Sequence, residues 1–370
     1  RLFHMLEYLG KKHAVSIVSF VRPGGEKEAE ACAARFKGLI TVPITRGRIM
    51  LNAFISLFSG QSVNEGAYRS REMSGAAAGA AELIKPDIIL VYRLRMAQHA
   101  PEGIPAVIDI VDSMALVNKR RAQYEKNPLM KLYCVIDAAR ILKAEKKLRE
   151  RFKAVILNAE EDAAYIGAGK TTVVPNGMPR PKKAVKRGRK GEGVTAGFMG
   201  NMAYPPNADA MEYFFKYIWK KTSDSVKSIK MIIAGGQSRA AGRLIKGSKN
   251  VLVKGYVKDA VREISGWDMA LAPVRYGAGR QNKILDAWAA GVPVVSTVFA
   301  ARGVYGRDGY NMLVAKDAGE FAEKAALLAR DRRLGRRLAD GGRETLEKYF
   351  IREKSGEKMN KILMAAVKTR

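Results

Sequence analysis

The stretch PVRYGAGRQNKILDAWAAGVPVVST, residues 273–297, divides into a loop, a helix and a strand. Gly277 and Gly279 punctuate the loop, and without a Cβ they let backbone N–H groups come close to a ligand. Ile284, Leu285, Trp288 and Ala289 recur at helical spacing; Gly291 stops the helix, and Pro293 opens a short buried strand over 294–297. A glycine-broken loop feeding a helix N-terminus favours anions, because unpaired N–H groups and the helix dipole point at them. Arg275, Arg280 and Lys283 add full positive charge, and Asp286, one turn into the helix, is an acceptor suited to ribose hydroxyls. Cations for phosphate beside such a carboxylate point to a nucleoside diphosphate. The same spacing also fits an ordinary helix behind a glycine loop with solvated Arg and Lys.

Outward from this stretch the chain alternates strand and helix. Before it, strands are expected at 14–21, 39–42, 87–92, 107–111 and 154–158. Helices are expected at 2–9, 26–36 and 73–84, with a long basic helical region at 119–151. Closer in lie strands at 194–200, 230–234, 251–257 and 269–272, and a helix at 208–219. Beyond it come a strand at 312–314, a helix at 318–329 and a basic helical tail at 334–367. This rhythm calls for an α/β fold with doubly wound parallel sheets. A chain of 370 residues exceeds one ordinary core. The stretch PRPKKAVKRGRKGEG, 179–193, has no apolar period and reads as a linker. The expected division is therefore 1–178, a basic linker 179–193, 194–345, and a closing helix within 346–370.

The opening stretch resembles the donor-binding motif of the retaining GT-B glycosyltransferases of family 4, the group 1 transferases. Their pattern is P-x-R-x-G-x-G-x-x-x-K-x-L-E-A-x-A-x-G-x-P-V-V. Pro273, Arg275, Gly277, Gly279, Lys283, Leu285, Ala287, Ala289, Gly291, Pro293, Val294 and Val295 match it. Two positions depart: Asp286 stands where Glu is usual, and Ala278 stands where the fuller motif has a sugar-contacting Glu. Further fragments are similar to the same family. Val173 to Gly177, VVPNG, matches the end of the first domain. The run around Gly197, Gly200, Asn201, Tyr204, Pro206 and Asn207 matches the entry to the second, which lines the donor phosphates. Gly255, Tyr256, Val257 and Asp259 match the turn that brackets the nucleobase. The resemblance is nearest to exosortase-associated transferases of exopolysaccharide synthesis. In those relatives a strand and a P-x-P-P-x-x-G-x-x-x-R loop come first, of which only Arg1 remains here, so a truncated N-terminus is expected.

The resemblance implies two Rossmann-like domains facing a cleft, with the closing helix crossing back to the first domain. It also implies a nucleotide-sugar as co-substrate, no cofactor, no metal, and a retained anomeric configuration. Arg275 and Lys283 would neutralise charge on the leaving diphosphate. Gly200, Asn201, Tyr256, Val257, Gly277, Gly279, Arg280, Gln281, Asn282 and Asp286 would hold the donor. In the first domain Asp112, just after the strand at 107–111, either orients an acceptor hydroxyl or the donor sugar, or caps the next helix. The acceptor class implied is a glycan or a polyprenyl-linked sugar. A catalytically idle scaffold remains open because of Ala278.

Basic residues number 66 against 36 acidic, a net charge of +30, which implies anionic partners without naming them. Nucleic acid is one candidate, but no RNA- or DNA-binding motif is present. An anionic membrane is another, and residues 46–58, RGRIMLNAFISLF, fit it. On a helix Met50, Leu51, Phe54, Ile55 and Phe58 share one face behind two arginines. A docking helix leaves Phe54 and Phe58 accessible; a core helix buries them. Cys32 and Cys134 have no metal spacing and are expected as buried thiols in a reducing compartment. His4, His13 and His99 form no metal motif and are expected at helix surfaces or strand edges. The apolar runs are too short to span a bilayer. A cytoplasmic protein, peripheral on the inner face of the plasma membrane, is the expected setting.

Overall fold

Short β-branched runs bounded by glycine, proline and asparagine become strands here, and every ladder among the described residues is parallel. The computed structural model describes residues 1–167, 169–181, 193–236 and 250–368. The chain divides into two units, Arg1–Pro175 with Glu353–Arg370, and Asn176–Arg352. Most of the expected linker, 182–192, lies outside the described residues.

The first unit runs α1 (Leu2–Gly10), β1 (Ser16–Val21), α2 (Glu26–Ala33), β2 (Gly38–Pro43), α3 (Arg46–Phe58), α4 (Val63–Gly66) and α5 (Arg71–Ile84). It continues with β3 (Ile89–Tyr92), β4 (Ala106–Val111), α6 (Met114–Tyr124), α7 (Pro128–Arg151), β5 (Ala154–Leu157), α8 (Glu160–Ile166) and β6 (Thr171–Val173). Its strands fall into two sheets, β1-β2 and β3-β4-β5-β6, rather than the single sheet expected. The ladder of β1 is made with β2, and no ladder joins β1 to β3 among the described residues. The long basic helix also breaks in two. Asn127 accepts from the Leu129 and Met130 N–H groups and Pro128 occupies the first turn, so a new helix starts there.

The second unit runs β7 (Val194–Met199), α9 (Pro205–Tyr217), α10 (Trp219–Ser225), β8 (Ile229–Ala234), β9 (Val251–Val253), α11 (Ala260–Ile264) and β10 (Met269–Ala272). Then come α12 (Asn282–Ala289), β11 (Val294–Thr297), α13 (Val298–Arg302), β12 (Leu313–Ala315), α14 (Ala318–Arg330) and α15 (Arg332–Tyr349). One sheet of order β12-β11-β10-β7-β8-β9 carries them. Its first strand, β7, is central, with β8 on one side and β10 on the other, so the order reverses between β7 and β10. Open α/β sheets bind ligands beyond the strand ends at such a reversal. The expected strand over 251–257 is shorter than foreseen, ending at Val253.

A single core fills this unit, including Phe198, Phe214, Trp267, Trp288 and Phe321. Helix α16 (Arg352–Lys368) belongs from Glu353 onward to the first unit, where Met359, Leu363 and Ala366 pack with Met5, Leu9, Val107, Ile156 and Val174. His99, expected at a helix surface or strand edge, is buried; its ring nitrogens lie 2.8 Å from Ser74 Oγ and 2.9 Å from the Tyr68 carbonyl. Cys134 is buried as expected, while Cys32 is half-buried.

Gly197 in β7 shows how tight the core is. A Cβ there would sit 2.3 Å from the Trp267 ring, which is 2% exposed and has nowhere to retreat. Gly197→Ala is expected to destabilise the protein by about 1–3 kcal/mol through overpacking, measured as a lowered midpoint in urea unfolding; an unchanged midpoint would show that the indole has room to move.

Candidate anion and nucleotide site of the second unit

Three chain segments meet beyond the C-terminal ends of β7 and β10. The first is the joint from β7 into α9. Gly200 N donates to the Ala234 carbonyl at 2.9 Å, and Asn201 Oδ1 accepts from Ala203 N at 3.0 Å. Asn207, buried on the first turns of α9, donates through Nδ2 to the Asn201 carbonyl at 2.9 Å and so fixes the turn. The second is the chain after β8. Gly235 has φ of 126°, and a Cβ on it would fall 2.3 Å from the Gly200 carbonyl oxygen. Two backbones thus touch, which only glycine permits at that angle.

The third segment is the loop 273–281 and the first turn of α12. Gly277 and Gly279 have φ of 147° and 67°. A Cβ on Gly277 would lie 3.7 Å from Pro206, which places this loop against the start of α9. Helix α12 begins at Gln281 with no side-chain cap, and it ends as its sequence requires, with Gly291 at φ of 67° and Val292 N donating to the Ala287 carbonyl. Ile284, Leu285, Ala287, Trp288 and Ala289 anchor it, and Trp288 Nε1 donates to the Asn311 carbonyl at 3.0 Å.

The polar face of that helix carries the chemistry. Lys283 lies over the Phe198 ring, 5.4 Å from its centroid, and Nζ donates to Gln281 Oε1 at 3.0 Å. Burial pulls its pKa down to about 8, against the opposing pull of Asp286. Burial likewise lifts Asp286 to about 6, with Lys283 lowering it and Asp259 raising it. Neither has an ion-pair partner within 4.0 Å among the described residues. A cation and a carboxylate one turn apart, both half-buried, can therefore accept an anion and hydroxyl groups on the same ligand.

The remaining expected residues divide. Asn282 Oδ1 accepts from Asn176 Nδ2 at 2.8 Å, so it ties α12 to the start of the unit. Arg275 carries a paired charge. Its guanidinium grips Asp209 of α9, with Nε donating to Oδ2 at 3.0 Å, and lies 4.7 Å from the Tyr213 ring centroid. Arg280 turns inward instead of towards the glycine loop. It is 6% exposed, donates to the Gly303 carbonyl and lies over the Tyr305 and Phe350 rings. Tyr256 is 81% exposed, while Val257 packs on the core and Asp259 caps α11 through the Arg262 N–H.

In the first unit, Asp112 is not the helix cap. That role falls to Ser113, whose Oγ accepts from Leu116 N at 3.1 Å. Asp112 instead sits with Asn158 and Arg93; burial raises its pKa and the Arg93 charge opposes this. Beside it Asp109 pairs with Arg1 at 2.9 Å. Val111 and Arg93 hold φ of 71° and 77°, unusual for residues with a Cβ and costly for a β-branched one. Sequence patterns missed Asp209, Arg93 and Asn158. Each meets a partner distant in sequence, and no local spacing announces such a pair. Among the described residues no three His, Cys, Asp or Glu side chains gather as a metal site.

Comparison with known proteins follows the same division. Residues 193–331 match the family model for Glycosyl transferases group 1. The lipopolysaccharide core biosynthesis glycosyltransferase LpsE of Rhizobium meliloti (strain 1021) is 43% identical over 74 residues, 20% of this chain and 22% of LpsE. The crystal structure of Anabaena HepE in complex with UDP and glucose is similar over 98% of this chain and 94% of HepE, with TM-score 0.67 and 11% identity. Sucrose-phosphate synthase from Thermosynechococcus elongatus is similar over 96% of this chain and all of its own, with TM-score 0.64 and 13% identity. A TarM variant from S. aureus gives TM-score 0.59 and 13% identity over 78% of this chain, which spans 58% of TarM. These neighbours have the GT-B fold, and the chain shares it.

Since Lys283 is held near pKa 8, its charge is present below that pH and lost above it. Affinity for inorganic pyrophosphate is expected to fall as pH rises through about 8, by the roughly 1.5–3 kcal/mol of a charge-assisted hydrogen bond. Calorimetric titration at pH 7 and pH 9 measures this, and Lys283→Met should abolish the difference; a difference that survives in the variant assigns it to another group.

Proposed function

We propose that the protein is a glycosyltransferase that binds a nucleotide-sugar in the second unit and passes the sugar to a glycan or lipid-linked acceptor. One observation carries this: Lys283 and Asp286 stand one turn apart beside the glycine loops at the sheet's reversal point. In transfer, the bond from the anomeric carbon to the diphosphate oxygen breaks and a bond to an acceptor oxygen forms. The diphosphate leaves with the electron pair and takes up the proton that the acceptor hydroxyl gives up. Charge thus grows on the diphosphate, where Lys283 would meet it beside the backbone of Asn201 and of the loop at Gly277 and Gly279. Asp286 would hold the ribose, and Tyr256 with Val257 would bracket the base. Gln281 orients Lys283. Arg275, paired with Asp209, would shape the loop or share its charge with the phosphate; Arg280 and Asn282 would act by holding the loop and helix in place. Asp112 is proposed on the acceptor side, with Arg93 and Asn158.

The match of residues 193–331 to a glycosyltransferase family supports the donor half, as does the UDP and glucose named for HepE. The identity with LpsE supports a role in building a cell-surface polysaccharide. Retention of anomeric configuration, independence of a metal, and work at the cytoplasmic face of the membrane belong to the same proposal. A donor-binding but idle scaffold is the second reading, favoured by Ala278, which is buried where a sugar-contacting carboxylate would stand.

A thermal-shift screen of UDP, GDP, ADP and CDP is expected to find one that stabilises the protein by roughly 2.7 kcal/mol at about a hundred times its Kd. Its sugar conjugate, offered with a polyprenyl-diphosphate sugar, should then release the free diphosphate. Lys283→Ala should weaken the diphosphate by about 1.5–3 kcal/mol and the free nucleoside little. Binding without turnover on any acceptor would favour the idle scaffold, and equal losses for both ligands would make Lys283 structural.

A further inference from the structure

Helix α3 is built inside out. Ser56 is its buried residue, lying under Gly66 so closely that a Cβ there would meet Ser56 Oγ at 1.8 Å. Asn52 faces the protein too, its Nδ2 donating to the Arg69 carbonyl at 3.1 Å. The outward side is the apolar one: Met50, Leu51, Phe54 and Phe58 are exposed, the two phenylalanines by 60% and 78%, with rings 5.4 Å apart. A helix of a soluble protein turns its apolar stripe to the core and its polar face to water. Here the arrangement is reversed.

The first half of α7 repeats the reversal, which no sequence period disclosed. Asp137 is buried, accepting from Val63 N at 3.0 Å and Asn118 Nδ2 at 3.1 Å, while Leu129, Leu132 and Ile136 are exposed, Leu129 by 78%. The two helices are tied together where their apolar faces end, as Arg140 Nη1 donates to the Leu57 carbonyl at 3.1 Å. An exposed apolar surface shared by two helices marks a site of association.

Charge selects the occupant. Helix α3 contains no acidic residue; Arg46 stands exposed at its entrance, beside Arg48, which pairs with Glu72 at 2.9 Å. On α7, Asp137 and Glu145 are buried, whereas Lys131 and Lys143 are exposed. A second copy would set these like charges against each other. An anionic bilayer satisfies both components, burying the apolar side chains at the headgroup boundary and attracting the basic rim. We infer that α3 and the first half of α7 form one docking surface for an anionic lipid membrane. No helix among the described residues is long and apolar enough to cross a membrane, so the contact is interfacial. It goes beyond the donor chemistry and does not depend on it.

Flotation of the whole protein with vesicles of phosphatidylcholine and phosphatidylglycerol, against phosphatidylcholine alone, tests it. The protein should rise with the anionic vesicles and bind the neutral ones far less. Phe58→Glu combined with Leu129→Glu should lower the bound fraction at limiting lipid by roughly tenfold or more, with an unchanged melting profile. Should the double variant melt early, Phe58→Ser carries the same comparison. Parent protein that stays at the bottom with anionic vesicles overturns the inference, as does a folded variant that floats equally well. A dimer that the double substitution dissolves, without flotation of either protein, assigns the surface to a second copy. Nucleoside diphosphate binding, followed in parallel, should be the same in parent and variant, so failure of the donor reading shows separately.

Discussion

Two opposite charges half-sunk in the second unit, Lys283 and Asp286, set the terms for what surrounds them. Withdrawing an ammonium and a carboxylate from water is costly, and their pKa values of about 8 and about 6 record that cost. They have not relaxed into a direct pair. The helix that bears them is held by five buried side chains and by the Trp288 indole, wedged against Gly342 so closely that a Cβ there would lie 2.3 Å from it. Apolar packing on one face of α12 therefore offsets strained electrostatics on the other, a common division of labour at binding sites.

The surrounding cations serve different ends from this one. Arg275 is neutralised by Asp209 and stiffens the link between the β10 loop and α9. Arg280 is spent on carbonyl and aromatic contacts behind the loop. Lys283 stands on the polar face of α12 with no ion pair within 4.0 Å among the described residues. The close approach of the Gly200 and Gly235 backbones shapes the same end of the sheet.

Alternation of apolar runs made the parallel sheets legible, and the glycine pattern located the site, because both are local consequences of backbone geometry. The Gly277, Gly279 and Gly291 torsions are of the kind that sequence position demands. What stayed hidden was pairing at a distance. Arg275 finds Asp209 and Arg93 comes to face Asp112, and neither contact leaves a trace in spacing. The break at Asn127 and Pro128 was written in the sequence, yet continuous helical composition on both sides obscured it. The split of the first unit's strands into two sheets had no local signal at all.

The chain's path between its units bears on how the molecule is made. Residues 176–352 are contiguous, but the first unit draws α1, β4, β5 and α16 into one apolar cluster, where Met359, Leu363 and Ala366 close over Met5 and Val107. A ribosome delivers the N-terminus first, so most of the first unit emerges early and must wait for its final helix. The second unit is completed in one uninterrupted run and can reach its native state before that helix is synthesised. Contacts spanning so much sequence form slowly, and until they do the surface awaiting α16 is exposed to other chains. The unit translated first is thus the one finished last.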